Sequence, residues 1–223
     1  MIKALLFDFD GLMIDTEWSI YQSWQELYQS YGAHLETANW VKVVGTIDDE
    51  LDYFEDIRAQ TGLTLDWKSI GRQRRQRELE LISDSPVLPG VLSYLEDARR
   101  LGLRLGMAST SNWEWVSGHL RQRGLLDYFE CIRTREYVTR LKPDPEPYLS
   151  VLAAMNLEAS QAFALEDSPP GITSAKRAGL FCVAVPNRLT RMLPVDHADL
   201  VLDSLADLPL EALLNRLNGH SSL

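Results

Sequence analysis

Residues 3–8 form a short apolar run that stops abruptly at Asp8, and Phe9, Asp10 and Gly11 come next. A strand exposed on one face alternates apolar and polar residues. An unbroken apolar run of this length fits a central parallel strand covered on both faces. The chain must therefore supply other strands beside this one and helices on both sides. It must also place two carboxylates where that strand ends.

The rest of the sequence fits this demand after Pro86. Pro89 and Gly90 open a helix that runs to about residue 101. Strands are predicted at 103–109, 129–133, 162–166 and 181–185, with a further candidate at 200–202. Helices are predicted between them at 113–124, 145–155 and 170–179. Strands alternating with helices of about ten residues form βαβ units and a parallel sheet. The expected class is α/β, a Rossmann-like doubly wound sheet.

Between residues 16 and 85 the pattern differs. Ile20, Tyr21, Trp24, Leu27, Tyr28 and Tyr31 fall at helical spacing over 17–31, with Gly32 as the C-cap. Leu51, Phe54 and Ile57 mark a helix over 48–60, and Trp67, Ile70, Leu79 and Ile82 mark another over 66–83. This stretch shows no convincing strand. It reads as an all-helical insert at 16–85 in a core made of 1–15 and 86–223. The polar segment 218–223 reads as a frayed tail.

Composition excludes several classes. The net charge of −10 makes nucleic acid an unlikely main partner. No apolar stretch approaches the ~18 residues of a membrane span, and the first residues lack the apolar core of a secretory signal. A cytoplasmic protein is expected, with a monomer as the default. The two cysteines, Cys131 and Cys182, lie in apolar strand-like runs and are expected to be buried thiols.

Ligands of an open parallel sheet bind beyond the carboxyl ends of its strands. Four such places carry reactive groups here: Asp8 and Asp10; Ser109, Thr110, Ser111 and Asn112; Lys142 before Pro143; and Glu166, Asp167 and Ser168. Four carboxylates converging in one cleft require a hard cation. An oxygen-only set without His or Cys suits Mg²⁺. A carboxylate can attack phosphorus. Ser109, loop N–H groups near Thr110 and Lys142 would then supply donors to the phosphoryl oxygens. This local field would let an acidic protein bind an anion.

These residues resemble the motifs of the haloacid dehalogenase superfamily. Asp8-Phe9-Asp10-Gly11 with Asp15-Thr16-Glu17 is similar to the first motif, and 108–112 (Ala-Ser-Thr-Ser-Asn) to the second. Lys142-Pro143 resembles the third, and Leu165-Glu166-Asp167-Ser168 the fourth. The insert resembles the C1-type cap that sets specificity in this family. The branch resembled is that of phosphatases and phosphohexomutases related to β-phosphoglucomutase. The resemblance implies that Asp8 is nucleophile and Mg²⁺ ligand. Asp10 would be general acid and base, its carbonyl a further ligand. Ser109 and the Thr110 N–H would hold the phosphoryl group, Lys142 would pair with it and with Asp8, and Glu166 and Asp167 would complete the metal site. Asp15 and Thr16 sit where the cap hinge begins.

Each feature has a simpler reading. Asp8 and Asp10 alone would be a turn pair, Lys142 a solvated loop residue, and Glu166 and Asp167 first-turn acids. All four motifs in order outweigh these readings. Ser109 is expected to bind phosphate, leaving Ser111 or Asn112 to cap the next helix. Arg72, Arg74, Arg75 and Arg77 are read as a solvated face partly paired with Glu78 and Glu80, rather than a clamp for a second phosphate. The aromatic stripe of the first insert helix is read as core. His34, His119, His197 and His220 form no ligand spacing.

The expected function is a Mg²⁺-dependent phosphatase for a small phosphorylated metabolite, a sugar phosphate or a nucleotide. The alternative is a hexose-phosphate mutase. That branch would carry His near position 20 and Arg after the insert's glycine loop, where this chain has Ile20 and Asp48. Asp10 argues against a dehalogenase. Lys42 and Lys68 offer no convincing Schiff base for a phosphonate hydrolase. A non-catalytic relative would have lost Asp8, Lys142 or Asp167.

Overall fold

The computed structural model describes residues 1–42, 44 and 52–219. Six parallel strands form one sheet: β1 (Ala4–Phe7), β2 (Arg104–Ala108), β3 (Cys131–Arg133), β4 (Ala162–Glu166), β5 (Phe181–Ala184) and β6 (Leu200–Val201). Their order is β3-β2-β1-β4-β5-β6. The apolar run at the start of the sequence is therefore central. Phe7 pairs in register with Met107 on one side and with Leu165 on the other. Connections run outward in one direction from β1 and in the other from β4, so the crevice of the doubly wound sheet opens between these two strands.

Alternation along β1 divides the interior into two layers. Leu5 and Phe7 join a cluster with α5 (Val91–Arg100), α6 (Trp113–Gln122) and α9 (Leu210–Gly219). Ala4 and Leu6 face α7 (Glu146–Met155) and α8 (Pro169–Arg177). Leu210, Leu213 and Leu217 of α9 are buried at helical spacing. This helix lies outside the sequence-based expectations, although a leucine stripe between Pro209 and the polar tail carries its signal.

Between β1 and α5 lie α1 (Thr16–Ser30), α2 (Thr37–Trp40), α3 (Tyr53–Thr61) and α4 (Trp67–Asp84). Carboxylates cap three of them: Asp15 accepts from the Trp18 N–H, Asp52 from Phe54 and Glu55, and Asp66 from Ser69. Tyr21, Trp24, Tyr28, Trp40, Tyr53 and Ile57 form a third apolar cluster, so the aromatic stripe of α1 is core as expected at Tyr21 and Tyr28, while Trp24 also borders a cavity. The chain leaves and re-enters the sheet region through adjacent backbone, with Ile14 bridging Val87 and Ser19 Oγ 3.2 Å from Ser85 Oγ. The helix expected over 48–60 begins at Tyr53 among the described residues, and Gly45 and Asp48 lie outside them. Cys182 is buried, but Cys131 is only half-buried, because β3 is the edge strand.

Leu213 has no solvent exposure and belongs to the larger sheet-face cluster. Leu213→Ala is expected to destabilise the fold by about 2–5 kcal/mol. Urea unfolding measures this, and an unchanged midpoint would detach α9 from the core.

Candidate active site

Each predicted strand end delivers its residues to one crevice. Asp8 comes directly after β1, and its backbone N–H donates to the Leu165 carbonyl at 3.0 Å. Ser109 comes directly after β2 and donates from its N–H to the Arg133 carbonyl at 2.9 Å. Glu166 ends β4, and Asp167 comes next. Asp8, Ser109, Lys142, Glu166 and Asp167 are all buried.

Lys142 ties this group together. Its Nζ donates to Asp8 Oδ1 at 2.5 Å and to Glu166 Oε1 at 2.6 Å. Burial works against its charge, but the two carboxylates outweigh burial and hold its pKa above the ordinary lysine value. The Tyr148 hydroxyl also donates to Glu166 Oε1, at 2.6 Å, and the Asp167 N–H donates to Oε2 at 3.3 Å. Glu166 is thus engaged at both oxygens. Gly171 explains its tight fit: a Cβ there would lie 1.9 Å from Oε2.

One ammonium does not balance three carboxylates. Asp8, Glu166 and Asp167 each offer an oxygen within 4.8 Å of the others. Burial pushes the Asp167 carboxyl well up, and the charges of Asp8 and Glu166 add to the effect. Burial likewise raises Asp8 against the pull of Lys142, and raises Glu166 to about 7. An oxygen-only set carrying excess negative charge fits a hard divalent cation. Gly11 leaves room beside it. Its φ is +77°, and a Cβ there would lie 2.4 Å from Asp167 Oδ2.

The Asp10 side chain is turned away from this trio. Ser111 Oγ donates to its Oδ2 at 2.5 Å and the Trp115 indole N–H to its Oδ1 at 2.8 Å. Burial raises its pKa, and the hydrogen bonds from Ser111, Trp115 and Thr16 oppose that rise. The structure therefore gathers three of the four predicted carboxylates and sets Asp10 apart at the mouth of a cavity. Asn112 caps α6, accepting from the Trp115 N–H at 2.8 Å. Ser109 Oγ accepts from the Ser111 N–H at 3.0 Å, which shapes the loop that carries Thr110.

The cavity is about 490 Å³ and is bounded by the sheet's strand ends and by α1 and α4. Asp10, Thr110 and Ser111 line one side, and Glu17, Ile20, Trp24, Trp40 and Tyr53 line the other. Arg74 and Arg75 also line it; the expected pairing with Glu78 is present and Arg75 is exposed as expected, but Arg74 is largely covered rather than solvated. Both pair with Glu78, which is only 1% exposed. Placement beside the cavity, invisible in helical spacing, separates them from Arg72 and Arg77 on the same helix. Partly buried Glu17 is pushed up to about 8 by burial and then by the charges of Asp10, Asp8, Asp15 and Glu78.

Sequence reading misses Asn187, Tyr148 and Trp115. Asn187 has a signal, since it stands just past the end of β5. Its Nδ2 donates to Asp167 Oδ2 at 2.8 Å and to the Gly11 carbonyl at 3.3 Å. Tyr148 and Trp115 lie within helices, where no strand-end rule points.

Residues 5–185 match the family model described as haloacid dehalogenase-like hydrolase. YhcW of Bacillus subtilis (strain 168), named as a provisional phosphatase, is 44% identical over 223 residues, 99% of this chain and 100% of YhcW. The phosphorylated carbohydrates phosphatase of Thermotoga maritima is 27% identical over 181 residues, covering 80% of this chain and 82% of its own. The crystal structure of β-phosphoglucomutase from Clostridium difficile superposes with a TM-score of 0.75 at 25% identity, covering 100% of both chains.

The raised carboxyl groups have a thermodynamic consequence. Burial pushes Glu17 up to about 8 and Glu166 up to about 7 in the folded protein, from the ordinary value of 4.5 that exposure on unfolding restores. The folded state therefore binds more protons across that window, and its stability falls as pH rises through it. Without divalent cation, urea midpoints should drop between pH 5 and 8. Glu17→Gln should flatten the drop, and an unaltered slope would contradict this environment for Glu17.

Proposed function

The chain belongs to the haloacid dehalogenase-like hydrolases as a phosphoric monoester hydrolase, and on that footing we propose that it cleaves a small sugar phosphate through a phosphoryl group carried on Asp8. The observation that carries this reading is the Lys142 bridge between Asp8 and Glu166 at the β1–β4 crevice. It holds a buried carboxylate oxygen fixed at the one place where the sheet opens.

In the proposed reaction Asp8 attacks phosphorus and the bond to the ester oxygen breaks. The leaving oxygen takes a proton from Asp10. Water then attacks the same phosphorus, Asp10 accepts its proton, and Asp8 is released. Ser109 and the Thr110 N–H hold the phosphoryl oxygens, and Lys142 offsets their charge. Asp8, Asp167 and the Asp10 carbonyl would hold Mg²⁺. Glu166, engaged by Lys142 and Tyr148, would anchor the lysine from beside the ion. The bound ion would supply charge neutralisation at the phosphoryl group.

The insert at 16–85 would act as a cap on the core of 1–15 and 86–223, closing over the cavity and excluding water. The cavity wall supports a sugar. Trp40 and Tyr53 give it aromatic surface, and the buried Trp40 indole N–H has no hydrogen-bond partner among the described residues. Thermotoga maritima's relative is named for phosphorylated carbohydrates. Ile20 in the wall and the commitment of Arg74 and Arg75 to Glu78 favour hydrolysis over a mutase that must grip a second phosphate.

Release of inorganic phosphate from a panel of sugar phosphates should require Mg²⁺ and disappear in Asp8→Asn, with the fold intact by circular dichroism. With glucose 1-phosphate and a trace of the bisphosphate, phosphate should appear before any 6-phosphate isomer. Near-native turnover by Asp8→Asn would overturn the reading, and faster isomer formation would replace it with a mutase.

A further inference from the structure

We propose that Trp115 is a positioning residue that fixes which oxygen of Asp10 exchanges the proton, an inference that rests on Asp10 being the general acid and base. Trp115 belongs to α6, on the sheet side of the cavity, and its indole N–H is directed at Asp10 rather than at the Asp8, Glu166 and Asp167 cluster. The indole Nε1–H donates to Asp10 Oδ1 at 2.8 Å. An indole N–H is a donor only, so Oδ1 accepts from it whether Asp10 is neutral or ionised. The carbonyl-type oxygen of a protonated carboxyl is the stronger acceptor, so the indole favours Oδ1 in that role and the proton on Oδ2. That oxygen faces Ser111 Oγ at 2.5 Å, and a hydroxyl can donate to an ionised carboxylate or accept from a protonated one. The two neighbours are therefore not equivalent: the serine tolerates both states of Asp10, whereas the indole assigns the roles of its oxygens.

The indole is itself fixed on several sides. Its residue's backbone N–H is held by the Asn112 cap at 2.8 Å. The His119 ring meets it edge-on, with centroids 4.5 Å apart. Arg75, from α4 of the insert, stacks its guanidinium 4.9 Å from the ring centroid. Arg75 is in turn paired with Glu78, the buried carboxylate that also holds Arg74. A continuous set of contacts thus runs from the insert to the proton-carrying carboxyl group, through a residue that need not touch the phosphoryl group.

This role predicts a selective defect. Protonation of the leaving oxygen matters greatly for an alkyl phosphate and little for p-nitrophenyl phosphate, whose product departs as a stable anion. Trp115→Phe keeps an aromatic ring in the packing but removes the N–H. It should lower kcat/KM for the best sugar phosphate of the panel by about tenfold to a hundredfold, as expected for one hydrogen bond to a charged group. With p-nitrophenyl phosphate the loss should be no more than about threefold, and the thermal midpoint should hardly move. Arg75→Gln, which touches no atom of Asp10 but removes the guanidinium stacked on the indole, should shift the same ratio by less. Asp10→Asn serves as the reference for the signature. If Asp10→Asn is selective and Trp115→Phe is not, Trp115 has no positioning role and the proposed function stands. If Asp10→Asn shows no selectivity, both the proton role of Asp10 and this inference fall.

Discussion

The structure around the crevice depends on one buried ammonium. Lys142 sits between carboxylates that end two neighbouring parallel strands, and it is only 5% exposed. Removing one partner of such a buried set typically costs about 3–5 kcal/mol, because the remaining charges are left without compensation. Its position also explains the packing around it. Tyr148 brings a hydroxyl to Glu166 from α7, and Gly171 lets α8 pass against the same carboxylate. The helices on one face of the sheet are thus shaped by the polar centre as well as by the apolar cluster beneath it.

Electrostatics then divides the crevice into two regions. Near the sheet, three carboxylates exceed the charge of one lysine, so the region is built for a cation. Arg74 and Arg75 of the insert line the cavity, and Arg135, whose backbone N–H donates to the Ser111 carbonyl, lines it from the core side. The net charge of −10 is not uniform here, since the cavity wall sets Arg74, Arg75 and Arg135 beside Asp10, Glu17 and Glu78. Asp10 stands at the border of the two regions, held by donors from the sheet side.

The sheet and the residues at its strand ends are legible because buried parallel strands are written as unbroken apolar runs. The residues immediately after each run must then lie at the strand's end. That rule locates Asp8, Ser109, Glu166 and Asp167, and it extends to Asn187. Trp115, Tyr148 and the cavity-side placement of the Arg74–Glu78–Arg75 group are not legible, although the pairing with Glu78 is. Their helical spacing is that of ordinary packing or solvated residues, and only tertiary placement brings Trp115, Arg74, Arg75 and Glu78 to the cavity and Tyr148 to Glu166. Cys131 is less buried than its sequence suggests, because a β-rich local sequence does not reveal that its strand lies at the edge of the sheet. Helix α9 escapes the strand-end rule, although Leu210, Leu213 and Leu217 carry the right period.

The central claim is that the carboxylate fixed by Lys142 carries the phosphoryl group during turnover. Rapid acid quenching of the protein with Mg²⁺ and a cleaved sugar phosphate, combined with peptide mass analysis, tests it directly. The account predicts a transient phosphoryl adduct on the peptide containing Asp8, formed before free phosphate appears and absent in Asp8→Asn. Phosphate release with no adduct at any quench time, at a rate that Asp8→Asn preserves, would contradict it.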